Sequence, residues 1–151
     1  MNKKQLTETD IRTKFITPAI TNSGWDIKKQ IREEVYFTDG KIIIHGKTIK
    51  RGKPKKADYI LYYKPNIPLA VVEAKDNNHS IGGGMQQGLD YGEVLDIPFV
   101  FSSNGDGFIF HNRFEGKEKE ISLNRFPSPQ DLWEIYKKEK DITEDIEIAD
   151  W

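Results

Sequence analysis

Apolar residues recur at a helical spacing near the start of the chain. Between residues 7 and 23 they fall three or four positions apart, at Ile11, Phe15, Ile16, Ala19 and Ile20. Thr7 or Thr9 can act as the N-cap, because a threonine oxygen accepts a hydrogen bond from the free amides of a first turn. Pro18 has no amide hydrogen, so the pattern predicts a helix that is kinked or divided at this proline.

Segments rich in β-branched and aromatic residues follow and predict strands. Two of them, residues 25–37 and 41–45, flank Asp39-Gly40, which is a turn signal. Two more, residues 57–63 and 69–75, are joined by a short turn and should therefore pair antiparallel. The second of these reads LAVVEAK, which is apolar enough to be buried on both faces of a sheet.

The remaining pattern predicts a helix, two strands and a final helix. Residues 85–95 fit an amphipathic helix, and residues 98–102 fit a strand. Because a helix separates this strand from the one at 69–75, the two should run parallel with a right-handed crossover. Residues 108–111 should form a hairpin partner, and a last helix should begin at Ser128-Pro129. We therefore predict one α/β domain over residues 1–151, built as a mixed β-sheet flanked by helices.

The composition restricts the chemistry that this domain can use. The chain has no cysteine, which excludes disulfides and thiolate metal sites, so any metal must be bound by oxygen or nitrogen. Oxygen ligands favour hard ions such as Mg²⁺. No apolar run approaches the ~18 residues of a membrane span, and the first ten residues lack the apolar stretch of a secretory signal. We expect a cytoplasmic protein with no membrane partner.

One segment is strongly basic although the net charge is −1. Six of the ten residues from 47 to 56 are basic, namely Lys47, Lys50, Arg51, Lys53, Lys55 and Lys56. A basic run is usually a solvated loop. This one directly precedes Asp58, which makes its last five basic residues candidates for contacts with DNA phosphates.

Three ionisable residues, Asp58, Glu73 and Lys75, interrupt the two most apolar predicted strands. Side chains two positions apart on a strand share a face, ~6.6 Å apart, so Glu73 and Lys75 should point the same way. Cross-strand pairing would bring Asp58 within about 5–8 Å of Glu73. Two buried carboxylates repel each other unless a cation lies between them, and Mg²⁺ typically takes one or two carboxylates. The simpler alternative is a salt bridge between Lys75 and one of the carboxylates.

The same residue set suits the hydrolysis of a phosphodiester. A metal ion polarises the phosphate and lowers the pKa of a bound water. Lys75 could orient or deprotonate that water and stabilise charge on the phosphoryl oxygens. The three histidines, His45, His79 and His111, are too scattered to form a metal site. His79 lies four residues beyond Lys75 and could approach DNA, although a solvated loop histidine is the commoner case.

Asp58, followed after fourteen residues by Glu73-Ala74-Lys75, resembles the PD-(D/E)xK motif of nucleases, with Ala57 in place of the usual proline. Gln87 and Tyr91 match the Q-x-x-x-Y element of a RecB-like subgroup and would share one helix face. The similarity extends through ADYILYYKPNIPLAVVEAK, GMQQGLDYGEVLDIPFVFSSNG and FPSPQDLW. Together with TETDIRTKFITPAITNSGWD, these segments closely resemble the N-terminal domain of the R (restriction) subunit of type I restriction-modification enzymes.

This resemblance implies a restriction-endonuclease-like fold and Mg²⁺-dependent cleavage of double-stranded DNA, with Mn²⁺ as a substitute ion. It implies Asp58, Glu73 and the backbone carbonyl of Ala74 as metal ligands and Lys75 as the catalytic lysine. Gln87 and Tyr91 become accessory catalytic residues. Glu8 is the candidate for a further acidic ligand from the first helix, with Asp10 as its competitor.

The resemblance also implies a longer subunit with ATP-driven, DNA-translocating domains, in complex with methyltransferase (M) and specificity (S) subunits. Gly46-Lys47-Thr48 resembles the end of a phosphate-binding loop, but the glycine required five positions earlier is Lys41. ATP should therefore act only through domains outside this chain. Three alternatives stay open: a PD-(D/E)xK nuclease that acts alone in DNA repair or in a mobile element, a non-catalytic DNA-binding or assembly module, and an RNA-cleaving enzyme.

Overall fold

A seven-stranded mixed sheet forms the centre of the chain, in a computed structural model that describes residues 2–38, 41–42 and 54–142. Its strands are β1 (Ile31–Thr38), β2 (Lys41–Ile42), β3 (Lys55–Lys64), β4 (Ile67–Ala74), β5 (Phe99–Ser103), β6 (Gly107–Asn112) and β7 (Lys117–Ser122). They are ordered β2-β1-β3-β4-β5-β6-β7. β4 and β5 run parallel, and the other described neighbours are antiparallel. The predicted mixed sheet and α/β class are confirmed.

Two of the four described α-helices begin at a side-chain cap. The four are α1 (Glu8–Ile11), α2 (Thr17–Asn22), α3 (Met85–Leu95) and α4 (Pro129–Glu139), with short 3₁₀ turns at Lys3–Gln5 and Leu123–Arg125. Thr7 and Asp10 exchange hydrogen bonds as a capping box before α1, and Ser128 and Asp131 do the same for α4. None of the helices in the described part of the chain has the length and apolar character that a membrane crossing needs.

The first helix is divided, as the proline predicts. A π-helical turn, Arg12–Ile16, separates α1 from α2, and Pro18 lies in the first turn of α2. A proline cannot donate to the carbonyl four residues earlier, so the hydrogen-bond register changes just before it. Gly24, with a φ of 111°, follows the end of α2.

Helices cover both faces of the sheet. The larger core cluster joins the N-terminal helices and α4 to one face and contains Ile11, Ile16, Trp25, Tyr59, Val72, Phe101 and Trp133. The smaller cluster lies under α3 on the other face and contains Phe37, Ile60, Val71, Tyr91 and Ile97. Because side chains alternate along β4, Val72 and Ala74 enter the larger cluster and leave Glu73 to face α3.

Two segments differ from the prediction. Residues 25–30 do not continue the first strand, because the Asp26 carboxylate accepts hydrogen bonds from the amides of Lys28 and Lys29 and closes a turn. The strand β7 was not predicted, since its sequence KEKEIS lacks the apolar alternation of a half-buried strand. The expected turn at Asp39-Gly40 and the strand beyond residue 42 lie outside the described residues.

Glycines allow α3 to lie very close to the sheet. A Cβ atom on Gly88 would be 2.7 Å from Cγ1 of Val100, which is closer than real side chains approach. The same atom would be 3.5 Å from Cγ of Glu73. One turn earlier, a Cβ on Gly84 would be 3.1 Å from Cβ of Glu73. The absence of side chains at these positions brings α3 directly over Glu73.

We expect Gly88→Ala to destabilise the protein by about 1–2 kcal/mol. Overpacking typically costs about 1–3 kcal/mol, and the better helix propensity of alanine returns up to about 1 kcal/mol. Gly82→Ala is the matched control, since its new Cβ would meet Ile109 at an ordinary 3.5 Å. Urea unfolding of both variants measures the difference, and equal stability of the two would show that the close approach of α3 is unimportant.

Candidate active site

Asp58 and Glu73 meet where the regular pairing of β3 and β4 stops. The ladder runs through Ile60↔Val71 to Tyr59↔Val72. Beyond that point the amide of Asp58 donates to Oε2 of Glu73, and the amide of Ala74 donates to Oδ2 of Asp58, both at 2.8 Å. Each carboxylate therefore replaces a backbone carbonyl of the neighbouring strand, and the two side chains are fixed side by side.

Both carboxylates are buried, and their electrostatics are unfavourable without a cation. Asp58 is 7% exposed and Glu73 is 3% exposed. Burial, and then the charge of Asp58, raises the pKa of Glu73 to about 8, although the hydrogen bond from the Asp58 backbone opposes the shift. Glu73 therefore holds its proton at neutral pH in the metal-free protein.

The pair fits the coordination of a divalent cation. One oxygen of each carboxylate accepts a backbone amide, and no described residue donates a hydrogen bond to the other oxygen. Mg²⁺ is usually bound by one or two carboxylates and completes its shell with water and phosphate. Within the described residues, no group of three or more acidic or histidine side chains is placed to hold a metal ion. The Ala74 carbonyl stays a predicted further ligand.

Glu8 lies near the Asp58–Glu73 pair, whereas the Asp10 carboxylate is engaged in the cap of α1. Burial, and then the charge of Asp58, raises the pKa of Glu8, and Lys75 and Arg12 oppose that shift. Glu8 is thus within electrostatic range of Asp58 and Lys75. The Asp10 carboxylate accepts from the amide of Thr7 in the capping box. Of the two candidates, Glu8 is the one beside the pair, and its role as a ligand stays a prediction.

Lys75 is the first residue after β4, and its amide donates to the carbonyl of Ser103 at 2.9 Å. Its positive charge lowers the pKa of both Glu8 and Glu73, which places the side chain near the carboxylates. Within the part of the chain that the structure describes, the ammonium forms no ion pair with Asp58 or Glu73. The alternative of a salt bridge between Lys75 and one of the two carboxylates is therefore wrong.

Gln87 and Tyr91 are brought together on α3. The side-chain amide of Gln87 donates to the Tyr91 hydroxyl. Gln87 is exposed, whereas the Tyr91 ring is buried and packs edge-on against Phe37 at 4.9 Å. Gly88, between them, lies over Glu73. The pair thus belongs to the helix that covers the acidic site.

The basic segment is described only in part. Lys55 and Lys56 begin β3, and the Lys56 ammonium lies 3.5 Å from Oε1 of Glu34. Lys56 also lowers the pKa of Glu8, so its charge reaches the site. The other three predicted DNA-binding residues, Lys50, Arg51 and Lys53, lie outside the described residues.

Comparison with known proteins identifies the family. The model for the N terminus of the type I restriction enzyme R protein matches residues 42–119. The chain belongs to this R-protein N-terminal family. It is 55% identical over 140 residues to the type I restriction enzyme EcoAI endonuclease subunit of Escherichia coli, covering 90% of this chain and 17% of that protein.

A solved structure agrees with the R-protein fold. A fragment assigned to the HsdR subunit of a type I restriction enzyme from Vibrio vulnificus superposes with a TM-score of 0.78 at 37% identity. The match covers 92% of this chain and 27% of that one. The chain therefore spans a minor part of both relatives.

The R-protein domain also contains a buried arginine that sequence reasoning missed. The Arg12 guanidinium donates to Oε1 of Glu33 at 2.8 Å, lies 3.7 Å from Oε2 of Glu34, and covers the Tyr59 ring at 5.0 Å. Asp58 is among the charges that act on it. The spacing of Glu8 and Arg12, four residues apart on a helical pattern, is the one sequence signal that links Arg12 to the site.

Backbone conformation changes in β1 beside this arginine. Glu34 has a φ of 53°, in the left-handed region that non-glycine residues seldom adopt. The pairs on either side of it are Glu33↔Tyr59 and Val35↔Ala57, so Glu34 lies opposite Asp58. Such strained residues occur at functional sites, where surrounding contacts hold them. Here the holding contacts come from Arg12 and Lys56.

Proposed function

We propose that this domain hydrolyses phosphodiester bonds of double-stranded DNA in a Mg²⁺-dependent reaction, as the nuclease domain of a type I R subunit. The observation that carries the proposal is a pair of hydrogen bonds, from the Asp58 amide to Glu73 and from the Ala74 amide to Asp58, which holds two buried carboxylates together with one oxygen of each left for a ligand. A docking surface would gain nothing from this repulsive pair, whereas a metal site requires it.

Each residue of the site has a defined task in this reaction. Asp58, Glu73 and the Ala74 carbonyl would hold Mg²⁺ or Mn²⁺, with Glu8 as a further acidic group. The bound ion supplies Lewis-acid polarisation of the phosphate and a water of lowered pKa. Lys75 orients the attacking water and stabilises the negative charge that develops on the phosphoryl oxygens. Gln87, whose side-chain amide is held by the hydroxyl of the buried Tyr91, positions the DNA backbone beside α3.

The relatives support a proposal about the wider assembly. One of them is an endonuclease subunit, of which this chain covers 17%. We propose that the complete subunit adds ATP-driven translocating domains and works with methyltransferase and specificity subunits. Target selection would then belong to a partner subunit, and this domain would cut DNA with little sequence preference.

Conversion of supercoiled plasmid to nicked and linear forms tests the proposal. Wild type should cut with Mg²⁺ or Mn²⁺ and should not cut in EDTA, and Asp58→Asn should be inactive with every ion. Cleavage by Asp58→Asn at the wild-type rate would contradict the proposal. Binding of both the metal and duplex DNA by wild type, without cleavage, would show that the nuclease needs the remainder of its subunit for activity.

A further inference from the structure

The loop after Lys75 is rigidly anchored by two buried asparagines. The Asn77 side-chain amide donates to the carbonyl of Asn104 at 2.9 Å, and the Asn104 amide donates to the carbonyl of His79 at 2.7 Å. From the N-terminal turn, the Lys4 ammonium donates to the carbonyl of Asn77 at 3.0 Å. These contacts fix the backbone on which His79 stands.

His79 presents one ring nitrogen to solvent from this loop. Its Nδ1 lies 3.1 Å from Oδ1 of Asp76, and no described residue bonds to its Nε2. The side chain is 54% exposed. A carboxylate on Nδ1 fixes the orientation of an imidazole and leaves Nε2 to meet an external group.

The base of the His79 side chain also lies close to the stem of Lys75. A Cβ atom on Gly83 would be 3.3 Å from Cβ of His79 and 3.5 Å from Cγ of Lys75. The two side chains therefore flank the same glycine. In duplex DNA, phosphates follow each other closely along each strand, so a group next to Lys75 meets a phosphate near the one that is cleaved.

We propose that His79 is a DNA-contact residue whose imidazolium form donates from Nδ1 to Asp76 and from Nε2 to a backbone phosphate next to the scissile one. This inference rests on the proposed nuclease function and adds a residue that its metal chemistry does not use. Asp76 acts through His79 by holding the ring. The contact anchors the DNA strand beside Lys75 and contributes affinity without reading sequence.

A second histidine in the structure provides a matched control. His111, on β6, pairs its Nδ1 with Oε2 of Glu118 at 2.8 Å, so it shares the carboxylate-held geometry of His79. It lies two strands away from β4 in the sheet and does not adjoin the acidic pair. A general effect of removing a histidine should weaken DNA binding in both variants. Loss of a phosphate contact should weaken it only in the His79 variant.

A DNA-binding measurement tests the proposal. The fluorescence anisotropy of a labelled duplex is followed in Ca²⁺ at pH 6 over a series of salt concentrations. Histidine carries a positive charge at mildly acid pH, and each lost phosphate contact lowers the slope of log K against log[salt] by about 1. We expect His79→Gln to weaken binding about 3- to 10-fold with that change in slope. His79→Lys should restore the slope, and His111→Gln should match wild type.

The outcomes separate this inference from the proposed function. Wild-type affinity and slope in His79→Gln would overturn the phosphate contact alone, since cleavage and metal binding are measured independently. Weaker binding with an unchanged slope would also overturn it, because that result indicates a displaced loop. No DNA binding by wild type would overturn both proposals.

The NMR chemical shifts of the histidine rings distinguish a DNA contact from a purely structural role, because only a direct contact should change the His79 signal when DNA is added. The chain has three histidines, so their Cε1–H signals are readily assigned with the single variants. Addition of the duplex should shift the His79 signal and leave that of His111 in place. An unmoved His79 signal at saturating DNA would contradict the contact.

Discussion

Replacement of Lys75 by alanine is expected to lower the rate of DNA cleavage by about 10²–10⁴-fold while Mn²⁺ affinity stays within a few-fold of wild type. The reason is that Lys75 lies beside the carboxylates without forming an ion pair with them, so the fold and the metal ligands do not depend on it. Single-turnover plasmid cleavage and calorimetric Mn²⁺ titration on the same samples measure the two effects.

Lys119→Ala is the control for this prediction, because Lys119 is an exposed lysine on the edge strand β7. It should cleave DNA as wild type does. Loss of Mn²⁺ binding in Lys75→Ala, or cleavage close to the wild-type rate, would show that Lys75 does not have the catalytic task assigned to it.

Glu73→Gln is expected to stabilise the metal-free protein at alkaline pH. The folded-state pKa of Glu73, about 8, lies above its ordinary value of 4.5, so between these values the native state holds a proton that the unfolded chain has lost. The stability contributed by this group therefore falls as pH rises from about 4.5 to 8. Glutamine has no such proton to lose, and we expect a gain of about 1–3 kcal/mol at pH 9 and none at pH 4.

Urea unfolding in EDTA at the two pH values measures this difference. Glu93→Gln, an exposed change on α3, should show no pH-dependent gain. At pH 8, Mn²⁺ should make wild type more stable than Glu73→Gln. The ion stabilises the folded protein that binds it, and the variant lacks one of the metal ligands. A variant that is less stable than wild type at pH 9 would mean that the Glu73 carboxylate is satisfied within the metal-free protein.

The sequence predicts that Asp58 and Glu73 lie together, because charged residues stand out in apolar strands. The segment LAVVEAK predicts a buried strand and places two ionisable residues, Glu73 and Lys75, on the same face of it. The helix at 85–95 was also predicted with its observed bounds, since its amphipathic pattern is bordered by glycines and by Asp96, which adopts a left-handed conformation. Local pattern and tertiary structure agree in these elements.

The remainder depends on contacts between distant parts of the chain. Buried Arg12 meets Glu33 and Glu34, which lie 21 and 22 residues later in the chain, and no local pattern encodes that meeting. The positive φ of Glu34 likewise has no signal in its residue type, since glutamate seldom adopts it. Five of the six residues of the edge strand β7 are exposed, and its alternating charges carry no hydrophobic period.

Calorimetric titration of Mn²⁺ into wild type, Asp58→Asn and Glu73→Gln at pH 6 and pH 8 tests most directly whether the two carboxylates form a metal site. We expect saturable binding by wild type that tightens with rising pH and releases a proton, because the cation displaces the proton that Glu73 holds up to about pH 8. Each variant should bind at least about tenfold more weakly. Wild-type affinity in both variants, or no binding by wild type at either pH, would contradict the account.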